Sequence, residues 1–328
     1  MRRREFITVL GGGATLGWPL PARSQQSALP AIGFLNGASP DGFSHRVAAF
    51  REGLKEAGYV EGRNVTIEFR WADGHWDRLP NLAAELLDHH VAVLVATGGS
   101  AVGQAAVHAT STVPVVFTAG GDPVDLKLVS SLSRPGGNVT GVSMLTSELA
   151  AKRFEVLREI VPSASTIGML VNPGTPNSER DAKAVQQAAG AQGIGVSIVL
   201  ASREAEFASA FAMLAGAGVG ALFVESDVYF ESHRGSLVTL AARHALPAIY
   251  DTNDYTEAGG LVSYGADFSR AYRQAGIYVG RILSGARPAD LPVVQLEGIR
   301  LAINLKTAKT LGLAIPQSIL ARADEVIE

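Results

Sequence analysis

The chain has 328 residues, 47% hydrophobic and 18% charged, and this size and apolar content predict two lobes rather than one core. A formal net charge of −3 argues against the basic surface that nucleic-acid binding requires. The absence of cysteine excludes disulfides, thiolate metal sites and cysteine nucleophiles.

Residues 1–24 are expected to form an export signal. A basic start at residues 2–4 precedes an apolar run at 9–20, and cleavage is expected after Ser24. The run is too short and too rich in glycine to span a bilayer, and no later segment is predicted to do so. Arg-Arg-Glu-Phe-Ile at 3–7 is similar to a twin-arginine signal, which predicts export to the periplasm in the folded state. An ordinary secretory signal with an additional arginine is the alternative.

Strand-length apolar runs alternate with amphipathic helical stretches through residue 143. The predicted strands are 30–35, 65–71, 91–96, 113–117 and 139–143. The predicted helices are 44–58, 77–87, 100–109 and 125–132. This order predicts a parallel sheet covered by helices on both faces.

The same pattern then starts again. The predicted strands are 167–171, 196–200, 221–224, 247–250, 260–264, 293–295 and 300–304. The predicted helices are 177–191, 204–217, 233–244, 269–283 and one that begins at Lys306. The first strand of each half leads into an asparagine, Asn36 or Asn172, and then a Ser/Thr-Pro pair suited to a helix start. This repeat predicts two similar α/β lobes.

Polar and small residues follow several of these strands. In the first half they are Asn36, Gly99, Ser100, Thr118 and Asp122, and in the second half Asn172, Ser226, Asp227, Tyr250 and Asp251. Ligands of open parallel sheets bind beyond the carboxyl ends of the strands, so two facing lobes would form a polar cleft from this set. Two glycines and the helix start at Ser100 suit a carboxylate or phosphate, although a tight turn without ligand is equally consistent. Asp122 would meet a ligand ammonium or cap the turn before Pro123.

No enzyme motif is found in the chain. Dinucleotide and phosphate-loop glycine patterns, a nucleophile elbow and a zinc-binding histidine motif are all missing, so neither cofactor nor metal is predicted. Glu225, Asp227 and Asp251 could form a general acid/base set, but nothing specifies a reaction. An exported α/β hydrolase acting on a small molecule is therefore kept as the alternative to a non-enzymatic binding protein.

The sequence resembles the substrate-binding proteins of ABC transporters, of the tryptophan/tyrosine type. The matching stretches are residues 3–7, 32–36, 50–59, 120–124, 133–141 and 303–308, of which Arg-Pro-Gly-Gly-Asn-Val-Thr-Gly at 134–141 is the most specific. The resemblance covers essentially the whole chain. It implies the type I periplasmic binding protein fold, two doubly wound parallel-sheet lobes joined by a hinge, with three crossovers and closure on the ligand.

The resemblance also implies lobe boundaries and function. Residues 28–143 plus 257–288 are expected to form the N-terminal lobe, and 144–256 plus 289–328 the C-terminal lobe. The expected function is capture of a small polar or aromatic, amino-acid-like molecule for the permease and ATPase subunits of an ABC importer.

By the same resemblance, individual residues are expected to contact the ligand. In the first lobe these are Gly99 and Ser100, with Thr118 and Asp122 nearby, and in the second lobe Asn172, Asp227 and Asp251. Some relatives bind aromatic amino acids, but no short motif in this chain fixes the side-chain pocket.

Overall fold

A computed structural model describes residues 29–144, 146–175, 177–296 and 298–328, without the side chains of Ser147 and Glu148. The predicted export signal lies outside the described residues. Within them, no helix is both long enough and apolar enough to cross a membrane.

The first lobe is built on a six-stranded sheet with the order β2-β1-β3-β4-β5-β11. Its strands are β1 (Ala31–Asn36), β2 (Thr66–Trp71), β3 (Val93–Thr97), β4 (Val115–Ala119), β5 (Val139–Ser143) and β11 (Val294–Gln295). Its helices are α1 (Ser44–Glu56), α2 (Leu79–Asp88), α3 (Ser100–Ala109) and α10 (Phe268–Leu283), with 3₁₀ turns at Trp76–Arg78 and Pro288–Asp290. All strand pairs are parallel, and apolar clusters cover both faces, as the run of buried strands predicts.

The second lobe repeats this plan in a seven-stranded sheet with the order β7-β6-β8-β9-β10-β12-β13. Its strands are β6 (Thr166–Val171), β7 (Gly195–Leu200), β8 (Ala221–Val224), β9 (Ala248–Tyr250), β10 (Val262–Ala266), β12 (Ile299–Asn304) and β13 (Glu325–Ile327). Its helices are α4 (Ala150–Ile160), α5 (Ser178–Gly190), α6 (Glu204–Gly216), α7 (Val228–Ser232), α8 (Arg234–Arg243), α9 (Asn253–Glu257), α11 (Leu305–Thr310) and α12 (Gln317–Leu320), with a 3₁₀ turn at Thr146–Leu149. β12 pairs antiparallel with β10, and all the other pairs are parallel.

The predicted fold class, two doubly wound lobes with mainly parallel sheets, is confirmed. β1 and β6 hold equivalent places, second from one edge of each sheet, which confirms the repeat predicted from their flanking sequences. In each lobe the chain winds in opposite directions from this strand, so a crevice opens at its carboxyl end.

The predicted lobe boundaries need correction at the second and third crossovers. The chain crosses between β5 and α4, between β10 and α10, and between β11 and β12. The predicted boundaries place β10, at 262–266, in the first lobe, but this strand pairs with β9 and β12 of the second. They place β11, at 294–295, in the second lobe, but it pairs with β5 of the first. The sequence of a short strand does not indicate which sheet it joins, because pairing with the neighbouring strands decides this.

The predicted helix at 125–132 does not form. The segment is a series of turns, in which Lys127 adopts a left-handed conformation with φ of +57°. The N–H of Leu126 donates to the carbonyl of Asp122 (2.9 Å), and that of Lys127 to Val124 (2.9 Å), so successive turns do not propagate. Helix α4 was absent from the prediction, although its buried face contains Phe154, Leu157 and Ile160 at helical spacing.

Helices α1 and α10 pack closely on one face of the first sheet. A Cβ added at Gly53 would lie 1.9 Å from the carbonyl oxygen of Arg273, and one at Gly276 would lie 2.2 Å from that of Phe50. The two backbones can therefore touch only where the side chain is a hydrogen atom. This contact fixes the N-terminal ends of both helices beside the cleft.

Candidate ligand-binding site

A cavity lies between the two lobes, at the carboxyl ends of both sheets. The first lobe contributes Arg46, Trp76, Gly98, Gly99, Ser100, Ala101, Thr118, Gly120, Phe268 and Tyr272 to its wall. The second lobe contributes Thr146, Thr175, Asn177, Ser226, Asp227, Val228, Glu231 and Asp251, and Met144 lies at the crossover.

On the first-lobe side, the turn after β3 presents a helix N-terminus to the cavity. Gly98 and Gly99 have φ of +77° and +116°, and a Cβ at Gly98 would lie 2.3 Å from Oδ1 of Asn36. Among the described residues no side chain caps α3, and Ser100 and Ala101, which carry the first N–H groups of this helix, line the cavity. Such groups, at the positive end of the helix dipole, favour a carboxylate.

On the second-lobe side, Asp227 and Asp251 line the cavity beside Glu231. Asp227 accepts hydrogen bonds from the Thr175 hydroxyl (2.6 Å), the Phe230 N–H (2.8 Å) and Nδ2 of Asn172 (3.2 Å). Its side chain thereby caps α7. Asp251 accepts the hydroxyl of Ser226. Burial raises the pKa of both carboxyls, and these hydrogen bonds oppose the increase.

Three aromatic side chains complete the wall: Trp76, Phe268 and Tyr272. The indole of Trp76 separates the cavity from an outer cleft and packs so closely on Gly37 that a Cβ there would lie 2.6 Å from the ring. Nδ2 of Asn36 donates to the hydroxyl of Tyr272 (3.0 Å) and to that of Thr97 (2.8 Å). Asn36 is therefore placed to orient Tyr272.

The structure brings most of the predicted site residues together. Six of them line the cavity: Gly99, Ser100, Thr118, Ser226, Asp227 and Asp251. Asn36 and Asn172 are buried directly behind the wall, where they hold Tyr272 and Asp227. That these eight residues serve a ligand stays a prediction.

Two predicted site residues lie elsewhere. Oδ1 of Asp122 accepts the N–H of Val124 (2.7 Å), so this carboxyl caps a turn, the alternative reading for this residue. Tyr250 is 1% exposed and stacks on Tyr255 in the second-lobe core, with ring centroids 4.3 Å apart. Neither residue lines the cavity. The last residue of β9 points into the core because side chains alternate along a strand, and its neighbour Asp251 points into the cleft.

Several residues of the wall were missed from the sequence. Arg46 lies near the start of the helix after β1, and Trp76 begins the 3₁₀ turn after β2, so both follow strand ends and share the sequence signal of the predicted residues. Phe268 and Tyr272 belong to a helix that enters the site only through the second crossover. No local sequence pattern indicates that this helix reaches the site.

Glu225 is a fully buried carboxyl just behind the cavity wall. Its Oε2 accepts the N–H of Asn172 (2.8 Å), and its Oε1 has no hydrogen-bond partner among the described residues. Burial, followed by the negative charge of Asp227, raises the pKa of Glu225 to about 9. The carboxyl therefore carries a proton at neutral pH.

We expect alkaline pH to destabilise the protein through Glu225. A pKa raised by folding contributes stability that is complete below the ordinary value of 4.5 and is lost as the pH rises toward about 9. Between about pH 7 and 9 Glu225 alone should lower the free energy of unfolding by roughly 2 kcal/mol, and Glu225→Gln, which imitates the protonated acid, should remove that contribution. Urea unfolding at several pH values measures the effect. Glu257→Gln, at an exposed position of the same lobe, should keep the wild-type slope.

Two similar α/β lobes that enclose a polar and aromatic cavity at their strand ends define a two-lobed ligand-binding protein of the periplasmic type. Residues 32–327 match the model of the ABC transporter substrate binding protein family. The chain belongs to that family, and it is a substrate-binding component of an ABC transporter.

Three relatives resemble this chain over most of its length. A crystal structure of a protein from Streptococcus pneumonia in complex with L-Trp is 28% identical, covers 92% of this chain and 100% of its own, and has a TM-score of 0.81. A conserved domain protein from Vibrio cholerae is 30% identical, with 90% and 99% coverage and a TM-score of 0.82. A tyrosine-binding protein from Clostridioides difficile is 28% identical over 264 residues, which are 80% of this chain and 75% of that protein.

Proposed function

We propose that this protein binds an aromatic amino acid of the tryptophan or tyrosine type outside the cytoplasm and delivers it to the permease of an ABC importer. The observation that carries the proposal is the opposition of two charge-binding elements across one cavity. The open N-terminus of α3 lies on one lobe, and Asp251 with Ser226 lies on the other. The first suits a ligand carboxylate and the second a ligand ammonium.

The remaining wall suits an aromatic side chain. Trp76, Phe268 and Tyr272 offer ring faces and edges at which another ring can stack. The relatives whose names specify L-Trp or tyrosine support the same ligand class. No comparable feature favours the hydrolase alternative, and membership of a family of transporter components argues against it.

A ligand screen tests the proposal. L-tryptophan, L-tyrosine and L-phenylalanine are added to the protein without residues 1–24, and unfolding is followed by circular dichroism. At about a hundredfold excess over Kd, the bound amino acid should stabilise the protein by about 2.7 kcal/mol. Chromatography of the incubated mixture should recover the amino acid unchanged, whereas a hydrolase would consume its substrate. Stabilisation by aliphatic or acidic amino acids alone would contradict the proposed ligand.

The route of export is a second part of the proposal. Arg3 and Arg4 lie outside the described residues, and their resemblance to a twin-arginine signal is what supports export of the folded chain. Replacing both with lysine should stop export. Undiminished export of that variant would favour the ordinary secretory route.

A further inference from the structure

Arg46 of the first lobe extends across the cleft to the second lobe. Its side chain is 3% exposed, and its Nη1 donates to Oε2 of Glu231 at 3.0 Å. Nη2 donates to the other carboxylate oxygen of Glu231 and also to Oδ2 of Asp254 at 3.1 Å. The guanidinium thus makes a two-pronged contact with one acid of the opposite lobe and a third hydrogen bond with another.

Aromatic rings of the first-lobe side hold the guanidinium in place. Its central carbon lies 4.7 Å from the ring centroid of Phe43 and 4.6 Å from that of Phe268. Phe43 directly precedes α1, and Phe268 begins α10, the two helices joined by the glycine contact. Cation–π contacts of this kind fix the direction in which an arginine points. First-lobe rings therefore help to aim Arg46 at the second lobe.

Glu231 is also positioned by its own lobe, because the Thr252 hydroxyl donates to it at 3.4 Å. Asp254 meets a second group of the first lobe, since Nε2 of His45, on α1, lies 3.3 Å from its Oδ2. Burial raises the pKa of Glu231, and the charge of Arg46 opposes this. For Asp254 burial also raises the pKa, but the hydrogen bond from His45 and the charge of Arg46 outweigh it and hold the pKa below its ordinary range.

The contribution of this ion pair to stability depends on whether the two lobes are closed. A buried charge without its partner is strongly destabilising, whereas a buried pair with good geometry offsets most of the loss of hydration. Arg46 and Glu231 lie on different lobes, so each has this partner only when the cleft is shut. Both also line the cavity, which means that their pairing completes part of the wall around a ligand.

We infer that Arg46 and Glu231 are positioning residues that form a clamp between the lobes and hold the cleft closed, and that Arg46 is not the anchor of the ligand carboxylate. The inference rests on the proposed function in one respect, namely that the ligand occupies the cavity between the lobes. It assigns the carboxylate to the α3 N-terminus, because the terminal nitrogens of Arg46 are already engaged by Glu231 and Asp254.

A double-mutant cycle tests the clamp. Kd and dissociation rates for L-tryptophan and L-tyrosine are measured in the wild type, Arg46→Met, Glu231→Gln and the double variant. Each single variant should bind at least about tenfold more weakly, mainly through faster dissociation, because the clamp acts after the ligand has entered. The double variant should bind more tightly than the two losses combined would give, since no unpaired charge is buried.

Arg51→Met is the matched control. Arg51 lies on the same helix, donates to Glu61 at 2.6 Å and lies 5.5 Å from the ring centroid of Phe69, but all three residues belong to the first lobe. Its removal should leave the ligand affinity unchanged.

A second measurement reads closure without any ligand. The chain has no cysteine, so spin labels can be attached at Asp77→Cys and Ala208→Cys, exposed positions on opposite lobes. Glu231→Gln should shift the label distances of the ligand-free protein toward longer values. The label distances still test the clamp if the wild type binds neither amino acid. That result would reject only the proposed ligand.

Three results would overturn the clamp. The first is a Glu231→Gln variant with wild-type affinity and label distances. The second is loss of all binding in Arg46→Met together with intact binding in Glu231→Gln, which would make Arg46 a direct ligand contact. The third is a fall in ligand-free stability in each single variant as large as its loss of affinity, which would assign the pair to folding.

Discussion

A methyl group at Gly53 is expected to separate α1 from α10, and Gly53→Ala should lower the free energy of unfolding by about 3 kcal/mol or more. The added Cβ would lie 1.9 Å from the carbonyl oxygen and 2.8 Å from the carbonyl carbon of Arg273. Both are backbone atoms inside a helix, so no side chain can move aside to make room. The helices would have to part, and the core beneath them would lose its packing.

The same change should also weaken ligand binding. α1 carries Arg46, and α10 carries Phe268 and Tyr272, all of which line the cavity. Urea unfolding gives the stability, and calorimetric titration of the surviving folded protein gives the affinity.

Gly190→Ala provides the matched control for Gly53→Ala. Gly190 ends α5, and a Cβ there would meet nothing within 4 Å. Alanine at such a position restricts the unfolded chain and should raise stability by roughly 0.5 kcal/mol. Equal stability of Gly53→Ala and wild type would mean that the two helices pack less closely than described.

The sequence was sufficient to predict the fold class and most of the elements. Hydrophobic runs such as Val93–Thr97 and Val115–Ala119 form buried parallel strands, and the intervening amphipathic stretches form helices. The sheet that each late segment joins could not be predicted. β10 and β11 differ little from other short apolar runs, and their partners are set by crossovers that depend on the packing of the whole lobe.

The candidate site was predictable wherever it consists of strand ends. Thr118 lies near the end of β4, the residues Gly99, Ser100, Ser226, Asp227 and Asp251 follow strands, and topology alone brings all of them to the cleft. The long side chains that reach the site from helix starts were not predictable. The packing of α1 against α10 brings Arg46 and Tyr272 to the cavity. This packing depends on Gly53 and Gly276, which lie 223 residues apart in sequence.

The structure also separates two aspartates that the sequence could not distinguish. Asp227 is occupied as the cap of α7 and as an acceptor for Thr175 and Asn172, so its loss would disturb the fold as well as the cavity. Asp251 accepts a side-chain hydrogen bond only from Ser226 among the described residues. It therefore has more capacity to accept hydrogen bonds from a ligand ammonium.

Asp251→Asn is expected to reduce the affinity for the aromatic amino acid by about 100-fold, close to 3 kcal/mol, because the buried ammonium loses its counter-charge. The loss should be specific for the amino group. 3-Indolepropionate and 3-(4-hydroxyphenyl)propionate, which lack it, should bind the variant no more weakly than they bind the wild type. Isothermal titration with the paired compounds measures both effects. In the wild type the amino-acid affinity should fall as the pH is lowered through the raised pKa of Asp251, and the variant should lose that dependence.

Asp122→Asn is the matched control, since Asp122 was predicted from the same kind of strand-end sequence but its side chain accepts the Val124 N–H in a turn outside the cavity. Its substitution should leave both affinities close to wild type, because an asparagine oxygen can accept the same hydrogen bond. Equal losses for the amino acid and its desamino analogue in Asp251→Asn would show that Asp251 shapes the cavity and does not receive the ammonium. A large loss in Asp122→Asn would move the ammonium site to the first lobe, opposite to the assignment made from Ser226 and Asp251.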